Sequence, residues 1–159
     1  MGIFDRTTTG HVTAPLSVAV ERGALRFFAE TIGETDPVHF DSAAARAAGY
    51  PDLRAPPTYA VVLDTAAATE ATRRGLPRLL DLIGADLRYL LHGTERYCYH
   101  GTIHAGDTLE ITHEVTGFSD AKGGALEIAH LKMRITHPAR GPLVIATRDL
   151  IHRLPKVRP

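Results

Sequence analysis

The sequence predicts an α+β fold in which a curved antiparallel sheet closes around one long helix. Three observations carry this expectation. Residues 58–75, TYAVVLDTAAATEATRRG, are alanine-rich and stop at Gly75, as a long helix does. Residues 108–116, TLEITHEVT, alternate strictly, with Leu109, Ile111, His113 and Val115 on one side and Thr108, Glu110, Thr112 and Glu114 on the other. That period of two belongs to a half-buried strand. The order of segments is a strand, then helices, then a run of strands, which lays the helix on one face of an antiparallel sheet. The small side chains between Ala60 and Ala71 let the sheet approach that helix closely.

The remaining segments follow in order. Val12 to Val20 is largely β-branched and small, broken by Pro15, and reads as a first strand near an edge. ERGALRFFAETIG places Leu25, Phe28, Ala29 and Ile32 at helical spacing before Gly33. Asp41 caps a second short helix, SAAARAAG. PDLRAPPT is a proline-stiffened loop. Tyr59, Val62, Leu63 and Ala66 mark the apolar stripe of the long helix, and Leu76 to Ile83 adds a helical turn or two. Leu87 to His100 reads as strand around a bend at His92–Gly93, and Gly106–Asp107 as a hairpin turn. GALEIAHLKMRIT alternates with a parity switch near Ile128–Ala129, where a bulge is expected. Leu143 to Leu154 is the last strand.

A chain of 159 residues suits one domain, taken as 1–159. Its 18 basic and 18 acidic side chains balance, which gives no electrostatic reason to expect nucleic acid or an anionic membrane as partner. The single cysteine, Cys98, allows no intrachain disulfide and is expected to be a buried, inert thiol in a reducing compartment. The N-terminal MGIFDRTTTGHV lacks an apolar leader run, and no stretch approaches the roughly 20 apolar residues of a membrane span. The expectation is a soluble cytoplasmic protein. His92, His100 and His104 close no metal-ligand pattern, so neither a metal nor a redox cofactor is expected.

The chemistry concentrates in GETDPVHFD, residues 33–41. Pro37 fixes its own φ and disfavours helix at Asp36, so the segment is a turn after an apolar helix. Such a turn presents Glu34, Asp36 and His39 either to solvent, as a capped bend, or to one point, as an acid–base site. A carboxylate and an imidazole sharing one water can deprotonate it and return a proton elsewhere.

Residues 33–41 resemble the signature of the MaoC-like hydratases, a branch of the hotdog-fold superfamily: Gly-Asp-x-Asn-Pro-Leu/Ile-His with an acidic residue beyond. Here it reads Gly33-Glu34-Thr35-Asp36-Pro37-Val38-His39, with Asp41 following. FFAETIG before it, ARAAGYPDLRAPPTY after it and YHGTIHAGDTLEI in the sheet match the family's layout along nearly the whole chain, and APPTY is most similar to the N-terminal-type MaoC dehydratase domain. The resemblance implies a hotdog fold and reversible hydration of a trans-2-enoyl thioester to the (R)-3-hydroxyacyl thioester. It assigns the catalytic pair to His39 and Glu34, with Asp36 as the second choice of carboxylate. Coenzyme A or an acyl carrier enters as part of the substrate, as in fatty acid metabolism.

Three departures from that pattern stand out. Glu34 stands for aspartate, Asp36 for asparagine, and Pro56-Pro57 for His-Gly, whose glycine N–H is the family's oxyanion donor. Proline has no N–H, so Thr58 at the start of the long helix is the nearest substitute. Pro57, Thr58 and Tyr59 are therefore the expected substrate-binding residues. Arg73 and Arg74 are either a solvated helix end or a clamp for the coenzyme A phosphates. The resemblance also implies at least a homodimer, built by joining sheets edge to edge. Two other functions share the fold: a non-catalytic acyl-binding subunit paired with a second hotdog chain, and an acyl-CoA thioesterase.

Overall fold

Pro15 sets where the sheet begins. Lacking an N–H, it interrupts the ladder, so the first strand, β1, is only Leu16–Ala19, and Val12 is left with an isolated bridge to Glu114. The computed structural model describes residues 3–154, so the outermost ends of the expected 1–159 domain lie outside the described residues. After β1 come α1 (Arg22–Thr31), α2 (Ser42–Ala47), α3 (Ala60–Arg73) and α4 (Leu79–Leu82). Four long strands then follow: β2 (Leu90–Tyr99), β3 (Thr108–Ala121), β4 (Leu126–His137) and β5 (Gly141–Arg153). All pair antiparallel, in the order β1-β3-β4-β5-β2.

α3 lays its small-residue face on this sheet. Ala60, Leu63, Ala67 and Ala71 are buried with Leu109 and Ile111 of β3, Met133 and Ile135 of β4 and Val144 and Ala146 of β5. The stripe is shifted from the expected one: Val62 and Ala66 are only partly buried, flanking it. Two turns of alanine give the sheet little side-chain bulk to step over, which is why backbone and sheet can meet closely. β3 buries Leu109, Ile111, His113 and Val115, as its alternation requires.

Three sequence expectations change. The bulge sits on β3, between Val115 and Gly117, rather than on β4 at Ile128–Ala129. β4 keeps one parity throughout, and its apparent switch arises because the inward residue at its start is a charged one, Glu127, which is 1 % exposed. Glu127 accepts from the N–H groups of Ile3 and Phe4 and pairs with Arg6 at 3.0 Å, so the interior carboxylate is satisfied by the N-terminal segment. Gly106–Asp107 is a turn, but not a hairpin, because β2 and β3 lie at different places in the sheet and the 100–107 connection crosses between them. Cys98 is exposed on the edge strand β2, not buried. The irregularity at His92–Gly93 falls where expected, between His92 and Glu95.

Candidate active site

The turn that carries Glu34 and His39 is built by the end of α1. Gly33 adopts φ +77°, its N–H donates to the carbonyl of Glu30, and the Glu34 N–H reaches back to Ala29 at 3.0 Å. This closes α1 with a glycine in the left-handed region and fixes Glu34 two residues past the helix cap. Asp36 then caps the next turn, a single 3-10 turn over Pro37–His39, by accepting from the Val38 N–H at 3.1 Å. Its carboxylate is thus committed to backbone. Asp41 caps α2 by accepting from Ala43 and Ala44, as expected.

His39 sits against the 50–57 loop. Its Nδ1 donates to the carbonyl of Arg54 at 2.6 Å; a carbonyl only accepts, so Nδ1 carries the proton and Nε2 of the neutral ring holds the lone pair. Nε2 faces Glu34 Oε2 at 3.8 Å, with the imidazole 7 % and the Glu34 side chain 33 % exposed. That gap is too long for a direct bond. It suits one water oxygen within hydrogen-bond reach of both atoms. Arg54 is itself held by an N–H bond to the Val38 carbonyl and by a bridge to His104. Burial lowers the His104 imidazole below its ordinary value, and His104 is tied to Thr102 at 2.9 Å. The Arg54 carbonyl and its His104 support were not visible in the sequence, because a backbone acceptor leaves no residue-type signature.

Three residues beyond Arg54, Pro57, Thr58 and Tyr59 form the 3-10 turn that enters α3. Pro57 and Thr58 are exposed, whereas Tyr59 is buried against Phe28. Pro57 and Arg54 line a cavity of about 340 Å³ together with Tyr99 and Ile103, and the Tyr99 hydroxyl donates to the Pro57 carbonyl. The Thr58 N–H lies in the first turn of the helical run, where N–H groups lack intrahelical acceptors. Arg73 and Arg74 lie at the other end of α3, about 20 Å from its start by helix rise. Both grip Glu70, at 2.7 and 2.5 Å. The structure does not bring them to His39.

A second polar group escaped the sequence reading as a site. Asp64, on α3, accepts from His113 Nε2 at 2.8 Å and pairs with Arg148 of β5 at 2.9 Å. Burial alone would raise the Asp64 carboxyl, but His113 and Arg148 hold it below its ordinary value. The sequence signal existed: His113 occupies an inward position of an otherwise apolar strand face. On the opposite sheet face, Ser119, His130 and Asp149 are linked at 2.8 and 2.7 Å. His130 and Asp149 there are 39 % and 36 % exposed, and none of the three lines a cavity described here, so this row is a cross-strand polar contact.

A family model described as "FAS1-like, dehydratase domain region" matches residues 7–146. A UPF0336 protein of Saccharopolyspora erythraea is 34 % identical over 151 residues, covering 94 % of this chain and 92 % of that protein. Among solved structures, the C-terminally truncated HadBC (3R-hydroxyacyl-ACP dehydratase) complex of Mycobacterium tuberculosis superposes with TM-score 0.72 at 21 % identity, over 91 % of this chain and 96 % of that one. The MaoC-like dehydratase of Rhodospirillum rubrum gives TM-score 0.70 at 18 % identity, over 97 % and 99 %. The five-stranded antiparallel sheet with its central helix is the hotdog fold that these proteins share.

Proposed function

This chain belongs to the family of FAS1-like dehydratase domain regions, and on that premise we propose that it interconverts trans-2-enoyl and (R)-3-hydroxyacyl thioesters. The observation that carries the reading is the 3.8 Å gap between Glu34 Oε2 and His39 Nε2. A water in that gap donates one hydrogen to each atom and turns a lone pair outward, toward C3 of the enoyl group. As oxygen bonds to C3, the pair takes one proton from the water and returns it to C2, so the site ends as it began. Glu34 is the base that takes the proton from water and returns it to C2, His39 orients the water by accepting its other hydrogen at Nε2, and the Arg54 carbonyl holds the ring in the required tautomer. Negative charge developing on the thioester oxygen meets the N–H or hydroxyl of Thr58, since Pro57 can offer no N–H. Arg73 and Arg74 would meet a carrier phosphate only by releasing Glu70. No metal or redox group takes part in this scheme.

One observation favours a second reading, an acyl-binding subunit that works with a separate catalytic hotdog chain. Pro56-Pro57 leaves no backbone donor at positions 56 and 57, as a partner-dependent subunit could, and the HadBC neighbour is a complex. Loss of enoyl absorbance from crotonyl-CoA and longer trans-2-enoyl-CoAs, measured with the purified chain alone, separates the two. Hydration to the (R)-3-hydroxyacyl product supports the enzyme. Inertness toward every chain length supports the subunit.

A further inference from the structure

The carbonyl that anchors His39 belongs to a short extended segment, residues 53–55, whose own support lies one layer further out. Arg54 turns its backbone toward His39: its N–H donates to the Val38 carbonyl at 3.0 Å and its carbonyl accepts from His39 Nδ1 at 2.6 Å. The flanking residues bond the other way. The Ala55 N–H donates to Ile103 at 2.8 Å, and the Leu53 carbonyl accepts from Ala105 at 2.9 Å. Residues 53–55 are thus one rung between the His39 turn and residues 103–105. The rung belongs to none of the named helices or strands, so what fixes 103–105 also fixes the Arg54 carbonyl.

Asp107 is the fixing point. One carboxylate oxygen, Oδ2, accepts from the His104 N–H at 2.8 Å and also from Arg140 Nη2. The Asp107 backbone closes the same turn, its N–H donating to the His104 carbonyl at 3.2 Å and its carbonyl accepting from Val20 at 2.8 Å. Arg140, between β4 and β5, donates through Nη1 to the Thr102 carbonyl at 2.8 Å and reaches His104 Nδ1 at 3.3 Å. Residues 102 and 104 are therefore clamped by one ion pair, whose carboxylate is only 12 % exposed. A charge-assisted pair sheltered from water holds its geometry firmly. Among the described residues, neither member of the pair bonds to Glu34 or His39.

We propose that Asp107, with Arg140, is a positioning residue for the Glu34–His39 pair. Through His104 and residues 53–55 it sets where the Arg54 carbonyl stands, and so where the imidazole points. Its consequence for turnover rests on the proposed function, whereas its hold on the ring does not.

Three variants of the intact chain test this. Asp107→Leu removes the acceptor at similar size. Asp107→Asn keeps one oxygen able to accept from both His104 and Arg140. Arg140→Gln weakens the clamp from a turn position that is 34 % exposed. The His39 ring N–H proton, identified by its loss in His39→Gln, is read by NMR, and kcat and KM on crotonyl-CoA are measured alongside. The expected result is an upfield move of that proton in Asp107→Leu and Arg140→Gln, as the bond to the Arg54 carbonyl lengthens, and its return in Asp107→Asn. Methyl resonances of Leu131 and Leu150, in the second core cluster, stay in place. In Asp107→Leu kcat falls about ten- to a hundred-fold with KM within about three-fold, the cost of misplacing a reacting group by up to about 1 Å, and Asp107→Asn restores it. An unmoved His39 proton in either folded variant, Asp107→Leu or Arg140→Gln, overturns the proposal. So does an Asp107→Asn protein as altered as Asp107→Leu, or an unchanged kcat in Asp107→Leu of an active enzyme. If Asp107→Leu does not fold, Arg140→Gln decides by the same readings. A wild-type chain inert toward every enoyl-CoA sinks the hydratase reading and leaves the His39 proton to decide the positioning.

Discussion

Nε2 of His39 stands 3.8 Å from Oε2 of Glu34, while Nδ1 of the same ring is anchored at 2.6 Å to the Arg54 carbonyl. The anchoring bond decides which nitrogen can accept from water, and the turn after α1 decides where the carboxylate waits. The two halves come from segments that share no regular element, so each can be disturbed separately.

Asp36 is a capping residue in this arrangement, not a base. Asp36→Ala should cost about 1 kcal/mol of stability, as loss of an N-cap does, with turnover on crotonyl-CoA within a few-fold of wild type. Urea denaturation and initial rates measured together check this. A hundred-fold loss of rate without loss of stability would move the base to Asp36.

Glu127→Ala removes the acceptor for the Ile3 and Phe4 N–H groups and the partner of Arg6. The expected destabilisation is about 3 kcal/mol, from orphaned buried donors and the space vacated by a fully buried side chain. Chemical denaturation reads it directly. A change below 0.5 kcal/mol, the size of an ordinary surface substitution, would show that the N-terminal segment does not depend on this carboxylate.

Stability should fall as the solution is acidified below pH 6.5. Burial lowers both His104 and His152 from 6.5, outweighing the carboxylates that face them, Asp107 and Asp52 for the first and Glu127 and Asp86 for the second. Between each lowered value and 6.5 the unfolded chain binds more protons than the folded one, so stability rises with pH across that window and is level above it with respect to these groups. Urea midpoints from pH 8 down to pH 5 should show a plateau and then a decline. In His152→Phe the decline should be shallower. A midpoint unchanged to pH 5 would contradict the assignment.

Among the described residues, β2 presents an unpaired edge of 10 residues, whereas the other edge, β1, has four. Leu91 and Tyr99 on it are 53 % and 49 % exposed, and Cys98 is exposed beside them. Long uncovered edges pair with other strands. Light scattering should give a dimer, and Cys98 should react with a thiol reagent at least ten-fold more slowly in it than in a Tyr97→Pro, edge-blocked monomer. A monomer at working concentration, or equal labelling rates, would place the contact elsewhere.

How much of this was legible in the string differs by level. β3 announced itself because its two faces meet different solvents, and α3 because alanine tolerates close packing against a sheet. The start of β4 did not, since a buried carboxylate such as Glu127 breaks the hydrophobic pattern and its partners lie more than 120 residues away. Likewise Glu34 and His39 were legible as a pair through local spacing and resemblance. Asp64, His113 and Arg148 were not: each lies on a different element, and only the packing of α3 on the sheet brings them together.

The most direct test of the central claim is the rate of enoyl-CoA hydration by Glu34→Ala and His39→Ala beside wild type, with folding verified by circular dichroism. The account predicts measurable wild-type turnover and a loss of at least about 100-fold in each variant, the contribution of a positioned acid–base group. Wild-type rates retained in either variant would contradict it.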